Sequence, residues 1–209
     1  GLTMPQKPLL VAMDLEGVLV PEVWISVAEK TGIPELRLTT RDFSDYSALM
    51  SHRMKILDQH RLTLRDIQDV INTMQPLPGA VEYLNWLRER HQAIILSDTF
   101  YEFASPLMQK LGWPTLFCNS IHADENGRVT GYTMRVDNGK KRATLAFKQL
   151  NFRVIAMGDS YNDTDMLKEA DLGILFRPSE NVRREFPQFQ VVSEFTEVID
   201  IINAFCNQP

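Results

Sequence analysis

The chain has 209 residues, 44% of them hydrophobic and 23% charged, a composition that excludes disordered and fibrous classes and suits one good core with a small accessory lobe. Its net charge of -5 argues against a chain that coats nucleic acid or an anionic membrane, while leaving room for a local cation cluster that grips a phosphorylated small molecule. The cysteines, Cys118 and Cys206, form no CxxC pair, so they supply no metal framework and favour a reducing compartment.

Met4 reads as the natural first residue, with Gly1 to Thr3 foreign to it. No apolar signal core follows and no run reaches membrane-spanning length, so a cytoplasmic location is expected. Residues 9–13 form a short, wholly apolar run that ends at Asp14. Continuous runs of this length read as strands buried on both faces, as in a parallel sheet. Residues 23–73 then contain no strand-like run and read as helices over 24–31, 46–60 and 64–73. They predict a helical cap over residues 21–75, with Phe43, Tyr46, Met50 and Met54 serving its own packing. After the breaker Pro78-Gly79 a helix is predicted over 81–90. An apolar run at 93–96 ends in Ser97-Asp98, and a helix over 103–111 stops at Gly112. Glu125-Asn126-Gly127-Arg128 reads as a hairpin turn between Ile121 and Tyr132. A helix over 142–150, an apolar run at 154–157 ending in Gly158-Asp159, a helix over 163–170, a run at 173–176 and a helix over 196–205 complete the series. Strands alternating with helices predict a doubly wound, mostly parallel α/β core over residues 4–20 and 76–207.

In open α/β sheets ligands bind outside the carboxyl ends of the strands. Three runs end there in polar residues: Asp14-Leu15-Glu16-Gly17, Ser97-Asp98-Thr99 and Gly158-Asp159-Ser160-Tyr161-Asn162-Asp163. Any one could simply cap the next helix. Three in this order, with a helical insertion after the first, point to a shared site.

The set resembles the haloacid dehalogenase superfamily. Asp14-Leu15-Glu16-Gly17-Val18-Leu19-Val20 matches its first motif, Ile95-Leu96-Ser97 its second, Lys140 or Lys141 its third, and Gly158 to Asp163 its fourth. Within it, residues 14–22, 97–103 and 158–163 are similar to the phosphoserine phosphatase branch, and in that branch to the group that also transfers the phosphoryl group to homoserine. One departure from most of the superfamily is Glu16, where a second Asp is usual; the carboxyl sits one methylene further out.

The resemblance implies a magnesium-dependent enzyme acting on small-molecule substrates, phosphoserine and homoserine, through a phosphorylated Asp14. Mg2+ suits hard oxygen ligands, here Asp14, Asp159 and Glu16 through its backbone carbonyl. Asp163 either supports the metal's waters or only favours the dipole of its helix. Glu16 would give a proton to the leaving oxygen and take one from the acceptor, Ser97 would donate to a phosphoryl oxygen, and Lys140 (or Lys141) would offset its charge. Asp98 and Asn162 would border the substrate. Glu22 and Arg53 match the positions that hold the ammonium and carboxylate of the amino acid. A related phosphatase for another small phosphate, or a phospho-aspartate receiver, are the rival readings; the pair Asp14/Glu16 and the large insertion speak against a receiver. The four histidines show no metal-ligand spacing, which disfavours a metal-hydroxide hydrolase.

Overall fold

A computed structural model describes residues 6–42 and 44–208; the expected start at Met4 and the packing of Phe43 lie outside the described residues. In chain order the elements are β1 (Leu9–Met13), the helices α1 (Val23–Thr31), α2 (Tyr46–Gln59), α3 (Leu64–Asn72) and α4 (Ala80–Arg88), then β2 (Gln92–Phe100), which runs directly into α5 (Tyr101–Lys110). There follow β3 (Leu116–Ala123), β4 (Val129–Thr133), α6 (Gly139–Gln149), β5 (Arg153–Gly158), α7 (Thr164–Glu169), β6 (Leu172–Phe176), α8 (Glu180–Glu185), β7 (Gln190–Val192) and α9 (Phe195–Cys206), with 3-10 turns at Pro34–Arg37 and Tyr161–Asp163.

The strands form one sheet in the order β4-β3-β2-β1-β5-β6-β7, parallel except for β4. Strand order runs outward in both directions from β1, so the crevice of this doubly wound sheet opens beside the carboxyl ends of β1 and β5. β1 is buried on both faces, and its period-two alternation feeds two apolar layers. Leu9, Val11 and Met13 join residues of α1, α4, α5 and α9 on one side. Leu10 and Ala12 join Ile94, Leu96, Val154, Met166 and Val182 on the other.

Among the described residues the inserted helices form no apolar cluster of their own. Trp24, Val27, Leu36, Met50, Leu57, Ile67 and Ile71 belong to the same cluster as the strand residues Val11 and Met157. The turn between α2 and α3 is also clasped by the β3–β4 hairpin: Leu64 N–H donates to Gly127 O (2.8 Å), and Arg128 Nε pairs with Asp58 Oδ1 (2.6 Å).

The structure departs from the sequence reading at two places that matter for the site. β2 continues past Leu96 to Phe100, with a register shift against β3 between these residues, so Ser97 lies inside a strand and not at a helix cap. α6 begins at Gly139, three residues before the predicted start, which puts Lys140 in its first turn. β7 and α8 have no counterpart in the sequence reading, being too short for any periodicity to register. Among the described residues no helix is long and apolar enough to cross a membrane.

Candidate active site

β1 delivers Asp14 into the crevice. Its main-chain N–H makes a last rung to Met157 O of β5 (3.0 Å), after which the chain turns sharply: Leu19 and Val20 N–H donate to Leu15 O (2.9 and 3.1 Å) and Gly17 N–H to Val20 O (2.8 Å). Glu16 lies in this turn, where its Oε1 accepts from Val23 N–H at the start of α1 (2.8 Å). Gly17 has φ +83°, and a Cβ there would stand 2.1 Å from Asp159 Oδ2 and 3.1 Å from Glu22 Oε1. Only glycine lets the two strand-end loops approach this closely.

β5 delivers Asp159 from the adjacent strand. The loop after it is organised by Asp163, whose Oδ2 accepts from the N–H groups of Asp159 (2.9 Å) and Ser160 (3.2 Å). Asp163 Oδ1 binds Lys140 Nζ at 2.7 Å, and the same ammonium lies 3.4 Å from Asp14 Oδ1 and 3.7 Å from Asp98 Oδ2. Lys140 is buried; its neighbour Lys141 is exposed. Burial opposes the Lys140 charge, but Asp14, Asp163 and Asp98 outweigh it and hold the ammonium well above its ordinary pKa.

β2 contributes Ser97, which is buried and whose Oγ accepts from Thr99 N–H (3.1 Å). Asp98 Oδ2 accepts from Asn162 Nδ2 (2.6 Å), and its carbonyl accepts from the Tyr46 hydroxyl (2.6 Å). Asp14, Glu16, Ser97, Asp98 and Asn162 line one cavity of about 410 Å³ together with Glu22 and Arg53 from the inserted segment.

Arg53 is buried against the Trp24 ring, 4.7 Å from its centroid. Its Nη2 donates to Leu38 O (3.2 Å), while its Nε is buried without a hydrogen-bond partner. A buried guanidinium with an unused donor, lining a cavity, is suited to a carboxylate.

The site carries six carboxylates (Asp14, Glu16, Glu22, Asp98, Asp159, Asp163) against three cations (Lys140, Arg53, Arg41). The imbalance shows in their acidities. Burial, then Asp163, pushes Asp14 well above the usual carboxylate range, with Lys140 pulling the other way. Burial and Glu22 do the same to Asp159. Glu16 is raised by burial against the pull of the Val23 N–H and Arg53. Glu22 is pushed up to about 8 by burial and by repulsion from Glu16 and Asp14.

A divalent cation fits this deficit. Carboxylate oxygens of Asp14, Asp159 and Asp163 lie within 4.8 Å of one another, and Asp159 Oδ2 is fully buried without a hydrogen-bond partner. All are hard oxygen donors of the kind Mg2+ takes. Both oxygens of Asp163 are already engaged, so the arrangement suits it to holding the Asp159 loop and Lys140.

Some residues at the site carried no signal in the sequence. Thr40 lines the cavity and its Oγ1 lies 3.0 Å from Ser160 Oγ; Arg41 Nη1 lies 3.5 Å from Asp159 Oδ2. Both sit in a loop between helices, and only the tertiary path of that loop brings them in. Tyr46, read as a packing residue, also lines the cavity, where its hydroxyl donates to Asp98 O, and Trp24 lines it with Arg53 against its ring.

The haloacid dehalogenase-like hydrolase pattern matches residues 9–171. Over 189 residues the chain is 59% identical to a phosphoserine phosphatase of Pseudomonas syringae pv. tomato, covering 90% of this chain and 80% of that protein. Over 189 residues it is 58% identical to the phosphoserine phosphatase ThrH of Pseudomonas aeruginosa, covering 90% and 92%. A solved phospho-aspartyl intermediate analogue of a phosphoserine phosphatase shares the fold, with a TM-score of 0.77 at 20% identity over 94% of this chain and 99% of that one. Motif order, sheet order and a family match over most of its length agree: the chain belongs to the haloacid dehalogenase-like hydrolases.

Proposed function

We propose that this enzyme is a phosphoserine phosphatase working through a phosphorylated Asp14, and that it also passes the phosphoryl group to homoserine. The observation that carries the reading is that Asp14 shares its cavity with Arg53 and Glu22. A nucleophile for phosphorus thus lies beside a cation for a carboxylate and a carboxyl for an ammonium. The identity to the two Pseudomonas phosphoserine phosphatases supports the same substrate, and the resemblance of residues 14–22, 97–103 and 158–163 to the transferring group supports the transfer.

Asp14, Asp159 and the Glu16 carbonyl would hold Mg2+, with Asp163 behind them, and the bound ion would supply the positive charge that lets one anion approach another. A side-chain oxygen of Asp14 attacks phosphorus, the bond from phosphorus to the serine oxygen breaks, and Glu16 gives that oxygen a proton. Burial raises the pKa of Glu16, as this step needs, since it must begin protonated. Lys140 offsets charge on the phosphoryl group and on Asp14, and Ser97 donates its hydroxyl to a phosphoryl oxygen. In the second half the acceptor hydroxyl, from water or homoserine, attacks phosphorus, the Asp14–phosphorus bond breaks, and Glu16 takes the acceptor's proton. Serine leaves before the acceptor enters, so Arg53 and Glu22 can orient each in turn. An arriving ammonium lowers the pKa of Glu22 and fixes it as a carboxylate. The inserted residues 21–75 act as the cap that selects substrate.

Kinetics with phosphoserine, with and without homoserine, followed by phosphorus NMR after chelation and Mg2+ readdition, test the proposal. Phosphate and phosphohomoserine should form only with Mg2+. Arg53→Ala should weaken phosphoserine use by about 2–5 kcal/mol, as when one partner of a buried charge pair is removed, and spare a simple aryl phosphate. Equal losses on both substrates would remove Arg53 from the substrate site; inorganic phosphate alone at saturating homoserine would remove the transfer.

A further inference from the structure

The loop that follows the 3-10 turn Pro34–Arg37 crosses from the inserted helices onto the two loops at the carboxyl edge of the sheet. Tyr161 N–H donates to Thr40 O (3.3 Å), and Ser179 Oγ donates to Arg41 O (3.5 Å). Arg41 Nη2 donates to Arg177 O (2.6 Å), which anchors the guanidinium while Nη1 faces Asp159 Oδ2 at 3.5 Å. This contact has an unusual form. The carboxylate oxygen is fully buried and has no hydrogen-bond partner, and the cation that approaches it is itself partly exposed, at 27%. Thr40 lines the substrate cavity, and the next residue, Arg41, sets its guanidinium against Asp159.

We propose that Arg41 is a tethered stand-in for the divalent cation. Its guanidinium neutralises Asp159 while the metal is absent, and the metal and Arg41 compete for Asp159 Oδ2. The inference rests on the metal reading given above and adds to it the residue that the ion must displace. Metal loading then frees the Arg41 side chain and loosens the loop that it pins, so the ion's apparent affinity carries the cost of moving Arg41. An arginine is suited to this role because it stays charged at every working pH and reaches Asp159 from a loop.

Magnesium titration of the purified protein by calorimetry, in wild type, Arg41→Gln and Arg37→Gln, tests the competition. Arg37 pairs with exposed Glu29 and controls for loss of one positive charge. Arg41→Gln should bind Mg2+ about tenfold more tightly, within the usual range of coupling between competing ligands, and Arg37→Gln should stay near wild type. Equal affinities in wild type and Arg41→Gln, or weaker binding in Arg41→Gln, overturn the proposal and leave the metal site standing. Absence of Mg2+ binding in all three overturns both. A second measurement needs no variant: phenylglyoxal labelling of wild type, read by mass spectrometry, should modify Arg41 faster with Mg2+ than with chelator, with Arg37 as internal reference. An unchanged Arg41 rate rejects the displacement.

Discussion

Among single residues, those that follow an apolar run were legible, as were their motif neighbours Glu16, Asn162 and Asp163, while Thr40 and Arg41 were not. Asp14, Ser97, Asp98 and Asp159 each follow a short apolar run, and parallel strands bring such ends to one edge. Arg41 and Thr40 follow no periodic pattern, and no local rule places them at that edge. Gly17 tests how tight the junction is. Its φ of +83° and the 2.1 Å approach of an added Cβ to Asp159 Oδ2 mean that Gly17→Ala must move one loop or the other. The strain is worth about 1–3 kcal/mol, and a displaced ligand of about 1 Å costs about 10²-fold in rate, so a thermal melt and kcat/KM should both fall. Glu22 sets a pH dependence. Its carboxyl binds its proton more tightly folded, at about 8, than at the ordinary 4.5, so its contribution is present below 4.5 and lost as pH rises toward 8. Metal-free protein should therefore melt at lower temperature as pH rises through that window, and Glu22→Gln should flatten the slope. An unchanged slope would show that other carboxyls carry the effect.

At the level of elements, apolar runs predicted β1, β5 and β6 closely because buried parallel strands are apolar throughout. The end of β2 was lost because Ser97 to Phe100 interrupts the apolar run while still extended. Helix ends differ by no more than three residues, and at α6 the earlier start brings Lys140 into the helix's first turn. α3 has a capping box: the Thr63 side chain accepts from Asp66 N–H, and Asp66 Oδ2 accepts from Thr63 N–H (2.8 Å). Thr63→Ala should cost about 1 kcal/mol, or roughly 2–4 °C in Tm for a chain of this size, with kcat unchanged, since Thr63 does not line the cavity.

For the whole molecule, the alternation of strands and helices made the doubly wound sheet readable, while the relation of the inserted helices to it was not. A helical segment between two strands could pack as a lobe with its own core or share the main one, and only the contacts decide. Trp24, Met50, Leu57 and Ile67 share one cluster with Val11 and Met157. Differential scanning calorimetry should accordingly show one transition, with calorimetric and van't Hoff enthalpies equal; two resolved peaks would show that the inserted helices melt alone.

β1 occupies the centre of the sheet, and its partners are β2, from Gln92 onward, and β5, from Arg153 onward. On the ribosome this strand leaves the exit tunnel before either of its partners and then waits. At about 5–20 residues per second, roughly 4–16 s pass before its first neighbour has been translated, and about twice that before its second. Five consecutive apolar residues with unpaired main-chain groups stay open to other nascent chains throughout that interval. The same central position that makes Asp14 the hub of the finished site makes its strand the part of the nascent chain with most need of a chaperone.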